Sequence, residues 1–454
     1  MKKISNKSYE IDMCSGPILG KVLVFALPLM LSGVLQLLFN AADIIVVGRF
    51  AGSQSLAAVG STGALINLLI NVFIGLSVGV NVLVAKYYGA KDDEEVSVTI
   101  HTAIATSLVS GFGLIVVGIG ACRPLLVMMG TPEDVIEKAV IYMRIYFAGM
   151  PVVMLYNFGS AILRAIGDTK RPLYYLMAAG VVNVVLNLFF VISLNMDVAG
   201  VALATVLSQC ISAGLILRCL AKSEGSLKFH PKKLRINLKK LGQITRIGLP
   251  AGMQGAIFSL SNVLIQSSVN SFGSTVMAGN TAASNIEGFV YTAMNAVYQS
   301  NLSFTSQNVG GKKFSRLNKI LFVCLGVVTA TGMLLGFGAI GGARTLLGIY
   351  SSDPAVIDYG MKRLLIICSL YFICGWMDTA VGSLRGMGYS MLPMIVSLTG
   401  ACLFRVVWIF TIFARFHSLT VLYISYPISW LITTAAHLLC YMKLRKKFPK
   451  EDVG

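Results

Sequence analysis

Charge is what this sequence has least of. Only 12% of its 454 residues are Asp, Glu, Lys or Arg, against about 25% in ordinary soluble domains. That excludes a soluble globular enzyme. Histidine is scarce as well: His101, His230, His417 and His437 are dispersed, and no HExxH occurs, so the metalloprotease pattern is excluded. No GxxxxGK[ST] phosphate loop is present, and ATP drive has no support. The nine cysteines, among them Cys210, Cys324, Cys368 and Cys402, lie scattered in apolar runs without metal-ligand spacing. They read as small buried residues. No cofactor is called for.

Apolar residues are there in quantity, at 56% of the chain with a mean hydropathy of +0.77. They fall into twelve runs, at about 18–47, 55–84, 98–120, 136–162, 173–194, 198–220, 244–271, 277–307, 317–341, 357–383, 391–413 and 418–442. A membrane helix needs about 20 such residues. The pattern predicts an all-α membrane protein with twelve transmembrane helices. The one longer link, 221–243, is polar and basic. It divides the chain into a tail at 1–17, a lobe at 18–220, the linker, a second lobe at 244–442 and a tail at 443–454.

The net charge of +18 does not point to nucleic acid, because the bases collect in alternate loops as the positive-inside rule requires. One set is Lys86, Lys91, Arg164, Lys170 and Arg171, then the linker with Lys232, Lys233 and Arg235, then Lys312, Lys313 and Arg316, then Lys443 to Lys450. The opposite loops hold Arg49, Arg123, Lys138, Arg344, Lys362, Arg363 and Arg415. This predicts a multi-pass plasma-membrane protein with both termini and the linker cytoplasmic. The lipid bilayer is its macromolecular partner, and a monomer suffices.

The two halves repeat. A shift of 221 residues, the separation of Pro172 and Pro393, lays Leu163-Arg164-Ala165-Ile166-Gly167 on Leu384-Arg385-Gly386-Met387-Gly388. It also lays Gly89-Ala90-Lys91 on Gly310-Gly311-Lys312. Six spans per half with a cytoplasmic link put the halves in the same orientation, as in parallel-repeat transporters.

Against this background Asp43 stands out. A charge inside a membrane helix costs roughly 2.5–3.5 kcal/mol on insertion scales, and Asp43 is surrounded by Leu, Ile and Val. Gln36, Asn40 and Asp43 share one helical face, and Pro28 earlier in the same run favours a bend. Asn183 and Asn187 share a face in the fifth run, and Thr205 lies in the sixth. Asn262 and Gln266 belong to a polar stripe in the seventh, with Ser259 and Asn270. Glu287, Asp378 and Arg405 are charges in the eighth, tenth and eleventh. Amides of this kind also serve simply to join helices, at about 0.6–2 kcal/mol each. Asp378 and Arg405 would neutralise each other where they meet. Burial in low dielectric disfavours the ionised form of any carboxylate, so such acids suit ion exchange.

The repeated LRxxG before a proline, Gly167-Asp168-Thr169 before Pro172, the Pro28 to Asp43 spacing and the GVALATVLSQ stretch at 200–209 together resemble the multidrug and toxic compound extrusion (MATE) transporters. The likeness runs over roughly 15–445. It implies two pseudo-symmetric six-helix lobes forming a V-shaped cavity, and export of small organic, usually cationic, molecules against inward flow of H⁺ or Na⁺. It also implies a coupling site, with Na⁺ as a possible occupant, at Asp43, Asn183, Asn187 and Thr205. Asn187 departs from the pattern, which has a carboxylate there. Gln36, Asn40, Asn262, Gln266, Glu287, Asp378 and Arg405 are the candidates for lining a substrate cavity. Two other readings stay open: a flippase for lipid-linked sugars, which should present several cations, and an intramembrane enzyme using a pair such as Asp43 and Asp378.

Overall fold

The computed structural model describes residues 9–452, and among them no strand occurs. The helices are α1 (Ile18–Ala51), α2 (Ser53–Gly89), α3 (Asp93–Met128), α4 (Glu133–Ala148 and Met150–Ala165), α5 (Lys170–Ser193) and α6 (Asp197–Lys222). After the linker come α7 (Leu238–Asn270), α8 (Ser274–Gly310), α9 (Arg316–Gly341), α10 (Pro354–Ser369 and Tyr371–Gly386), α11 (Met391–Phe416) and α12 (Leu419–Arg445). A short helix, Ala343–Gly348, precedes α10. Eight of these are long and apolar enough to cross a membrane singly, and ten if each bent pair is one span. The polar stripes of α7 and α8 keep those two below that mark.

Two spans are broken where the sequence suggested continuous runs. The pieces of α4 meet at 49° and those of α10 at 46°. In α4 the break falls at Gly149, just before Pro151, whose missing N–H removes a helical bond. Other helices widen to π geometry, α1 at Val47–Ala51, α5 at Phe189–Ser193, and α11 at both Leu398–Leu403 and Ile409–Phe413. Helix α1 runs through Pro28 in one piece.

The repeat is written in the backbone. Left-handed φ values recur in register at Gly52 (89°) and Gly273 (97°), at Lys91 (57°) and Lys312 (54°), and at Gly167 (92°) and Gly388 (93°). Glycine fits the first and third pairs because it has no Cβ to clash in that region. The breaks at Gly149 and Leu370 obey the same register.

The chain forms two compact units. One gathers the described residues up to Asp12 with Val34–Ala256, and the other Met13–Gly33 with the described residues from 257 on. The division therefore falls inside α1 and α7, not at the linker. In the first unit the linker lies against α3: the His230 N–H donates to His101 Nε2 at 3.1 Å, Phe229 stacks on the His101 ring, and the Asn237 N–H donates to Thr102. Within the same unit α7 approaches α2 through two glycine pairs, Gly75 and Gly79 against Gly248 and Gly252. A methyl group at any of the four would overlap the facing backbone. This is the small-xxx-small contact of membrane helices. In the second unit, Phe25 of α1 meets Phe304 of α8 edge-on at 5.7 Å.

Candidate functional site

Three helices of the first unit bring four polar side chains together. Helix α1 supplies Asp43, α5 supplies Asn183 and Asn187 one turn apart, and α6 supplies Thr205. Asn187 and Asn183 are buried, at 1% and 5% exposure, while Asp43 is half-buried. The Asn187 Nδ2 donates to Asp43 Oδ1, and also to Asn183 Oδ1 at 3.3 Å. Asn183 Nδ2 faces the Thr205 hydroxyl at 3.5 Å, and that hydroxyl donates to the Val201 carbonyl at 3.0 Å. Thr205 also stands close enough to Asp43 to act on its carboxylate. The Asn187 Oδ1 is left buried without a partner. Both N–H groups of the Asn187 amide are thus used, and its unpartnered oxygen lies beside one negative charge. That arrangement suits a proton or a small monovalent cation. Tyr142 and Tyr146, stacked at 6.1 Å between centroids, stand within electrostatic reach of Asp43; neither was singled out in the sequence. Gln36 and Asn40 lie on the exposed surface of α1.

The carboxy-terminal candidates do not converge in this way. Glu287 is no open cavity acid: it is 5% exposed, and both of its oxygens accept from Arg363, at 2.8 and 2.7 Å. Arg363 is correspondingly no loop residue. It lies in the first piece of α10, 6% exposed, because a buried carboxylate needs a charged partner to offset its desolvation. Its Nη1 donates to Asn280 Oδ1 at 2.8 Å, and the Tyr423 hydroxyl meets the same oxygen at 3.3 Å. Gln266 closes this network by accepting from Asn280 and donating to Asn270, both at 2.8 Å. Asn262 is exposed.

Asp378, half-buried, is hydrogen-bonded by the Tyr291 hydroxyl. Arg405 does not neutralise it. The ion pairs of the second unit among the described residues are Lys313–Asp452, Arg344–Asp358 and Arg363–Glu287. Among the described residues there is also no cluster of three or more His, Cys, Asp or Glu side chains able to hold a metal.

Apolar helices in number, with polar sites buried inside them, define an integral membrane protein built as a secondary transporter is. The chain belongs to the MatE family, whose model matches it twice, over residues 28–189 and 250–411. The probable multidrug resistance protein YoeA of Bacillus subtilis is 28% identical over 382 residues, covering 83% of this chain and 82% of that protein. A protein of Shewanella oneidensis named FAD transporter is 23% identical, covering 85% and 86%. Among solved structures, the outward-facing conformation of a multidrug resistance MATE family transporter superposes with a TM-score of 0.90 at 21% identity, covering 98% of this chain and 99% of that one. These are transporters, and the intramembrane-enzyme reading falls away.

Proposed function

We propose that this protein is a secondary active antiporter of the plasma membrane, exporting small organic compounds, cationic ones foremost, in exchange for H⁺ or Na⁺. The observation that carries the reading is Asp43, a membrane-embedded carboxylate held by Asn187 beside the unpartnered Asn187 Oδ1. Intramembrane acids of this kind mark ion pathways. Capture of a proton or cation there changes the charge on one face of α1, which is a local switch of the sort that biases a two-state protein. The repeat supports alternating access by two six-helix lobes, 18–220 and 244–442, working as a monomer. The names of the relatives, multidrug resistance proteins among them, support organic substrates.

The test is ethidium efflux from proteoliposomes under a pH gradient alone and a Na⁺ gradient alone. One of the two should drive export; if neither does, the antiport reading fails.

The alternating bases predict which side each loop faces. Ser53→Cys, at the exposed start of α2, should react with a membrane-impermeant thiol reagent added outside intact cells. Lys233→Cys, exposed in the linker turn, should not. Labelling of Lys233→Cys from outside would reverse the orientation.

The departure at Asn187 leads to a further expectation. Asn187→Asp replaces the amide that donates to Asp43 with a second carboxylate. Two carboxylates in contact do not both ionise unless a cation or proton joins them. Na⁺ should then bind about tenfold more tightly, or about 1.4 kcal/mol. Na⁺-dependent thermal stabilisation of the purified variant measures it, and an unchanged midpoint would remove Asn187 from the site.

A further inference from the structure

Helix α11 carries a buried cation that has no ion-pair partner among the described residues. Arg405 is 4% exposed and lies on Phe404–Trp408, one α-helical turn held between two π-wound stretches. Such π interruptions inside helices are frequent at functional sites. Its Nε donates to Ser429 at 2.9 Å, while its Nη2 is buried with no hydrogen-bond partner. The guanidinium lies 4.2 Å from the Tyr426 ring centroid and 5.8 Å from that of Trp430. Tyr371 stacks on Trp430 at 5.3 Å. None of the ion pairs of this unit includes Arg405.

Arg363, a buried cation of the same unit, behaves differently. Arg363 has Glu287 on two of its nitrogens and Asn280 on the third, so its charge and its donors are both answered. Arg405 has aromatic faces and one hydroxyl. Rings stabilise the charge through their quadrupoles, but they accept no N–H in the plane of the fork. What is missing is an oxyanion, for which a guanidinium has the matching planar geometry. The aromatic walls beside it are the lining expected where a flat organic molecule stacks.

We propose that Arg405, walled by Tyr426 and Trp430, binds the anionic group, a carboxylate, sulfonate or phosphate, of an aromatic organic substrate. The site has the opposite polarity to Asp43 and extends the substrate range of the exporter to aromatic anions. It rests on the transport reading only in that its ligand is taken to be cargo. The π turns on both sides of Arg405 are where α11 would open to admit the ligand, since such bulges often accompany functional sites.

The test is equilibrium dialysis of the purified full-length protein in lipid nanodiscs, against empty nanodiscs, in gluconate buffer. The probes are naphthalene-2-sulfonate and naphthalen-2-ylmethylammonium, which share a ring system and differ in charge. Wild type should bind the sulfonate saturably. Arg405→Gln should weaken that binding at least about thirtyfold, the loss that follows removal of one partner of a buried charge pair. The ammonium probe should bind the variant as it binds wild type.

Arg405→Lys keeps the charge but loses the planar fork, and should weaken the sulfonate about fivefold. It carries the test alone should Arg405→Gln not be recovered folded. Wild-type sulfonate affinity in either variant, or no saturable sulfonate binding by wild type, overturns the proposal. So does complete displacement of the sulfonate by equimolar chloride, which would make this an inorganic-anion site. Dialysis uses no ion gradient. Lost anion binding with intact ethidium efflux therefore refutes this site alone, and intact anion binding without gradient-driven efflux refutes antiport alone.

Discussion

Asp43→Asn should yield a protein that inserts, purifies and melts close to wild type but no longer exports against an ion gradient. The structural part of the change is small. An asparagine at this position keeps an oxygen able to accept from Asn187 Nδ2, and its new amide can donate to the Asn187 Oδ1 that is now unpartnered. A helix-joining polar contact in a membrane is worth about 1 kcal/mol, so the variant should lose no more than that. The functional part is large, since the substitution removes the charge that a proton or Na⁺ answers. Gradient-driven ethidium efflux should fall about a hundredfold, to the leak of empty liposomes, a barrier change of about 2.7 kcal/mol. Ethidium binding to the same preparation should persist. Coupled export at the wild-type rate would take the coupling role from Asp43 and move it to Asp378, the other intramembrane acid without an ion pair.

The Asp43 site was legible because each part leaves a local trace. A lone carboxylate among Leu, Ile and Val is costly enough to need a reason, and two asparagines four residues apart share a face. That Asn187 points its amide at Asp43 and leaves its oxygen unanswered is a matter of side-chain rotation, on which spacing is silent. The register of the repeat was equally legible, down to the glycine turns at Gly167 and Gly388. The position of Arg363 was not. It begins an apolar run beside Lys362, where loop cations also stand, and only its partner on another helix distinguishes the two. Lys362 meets the Tyr359 ring, while Arg363 turns inward to Glu287. The glycine contact of α2 with α7 did leave a signal, a Gly-x-x-x-Gly in each helix, at Gly75 and Gly79 and at Gly248 and Gly252. The bounds of the two compact units are hidden for a different reason. Helices α1 and α7 are continuous in sequence, yet each gives its two halves to different units.

Arg363→Met should be the most destabilising single change in the carboxy-terminal unit. Both members of the Arg363–Glu287 pair have side chains 7% exposed, and the pair is bidentate. Methionine leaves Glu287 buried and uncompensated, and it also removes the donor to Asn280. Breaking one side of such a pair costs about 3–5 kcal/mol, whereas replacing both sides with apolar groups of similar volume is often neutral. Glu287→Met alone should cost a similar amount, through the stranded guanidinium. The double variant should therefore recover most of the loss, and the coupling energy in the cycle should be large and of opposite sign to the single effects. Unfolding of the purified variants in lipid nanodiscs measures all four corners. The double variant should also keep gradient-driven ethidium efflux, because the charges of the pair answer each other and the ion is handled at Asp43. Recovered stability without recovered efflux would make the pair part of the transport cycle, and a stable Arg363→Met would show that Glu287 has no need of its partner.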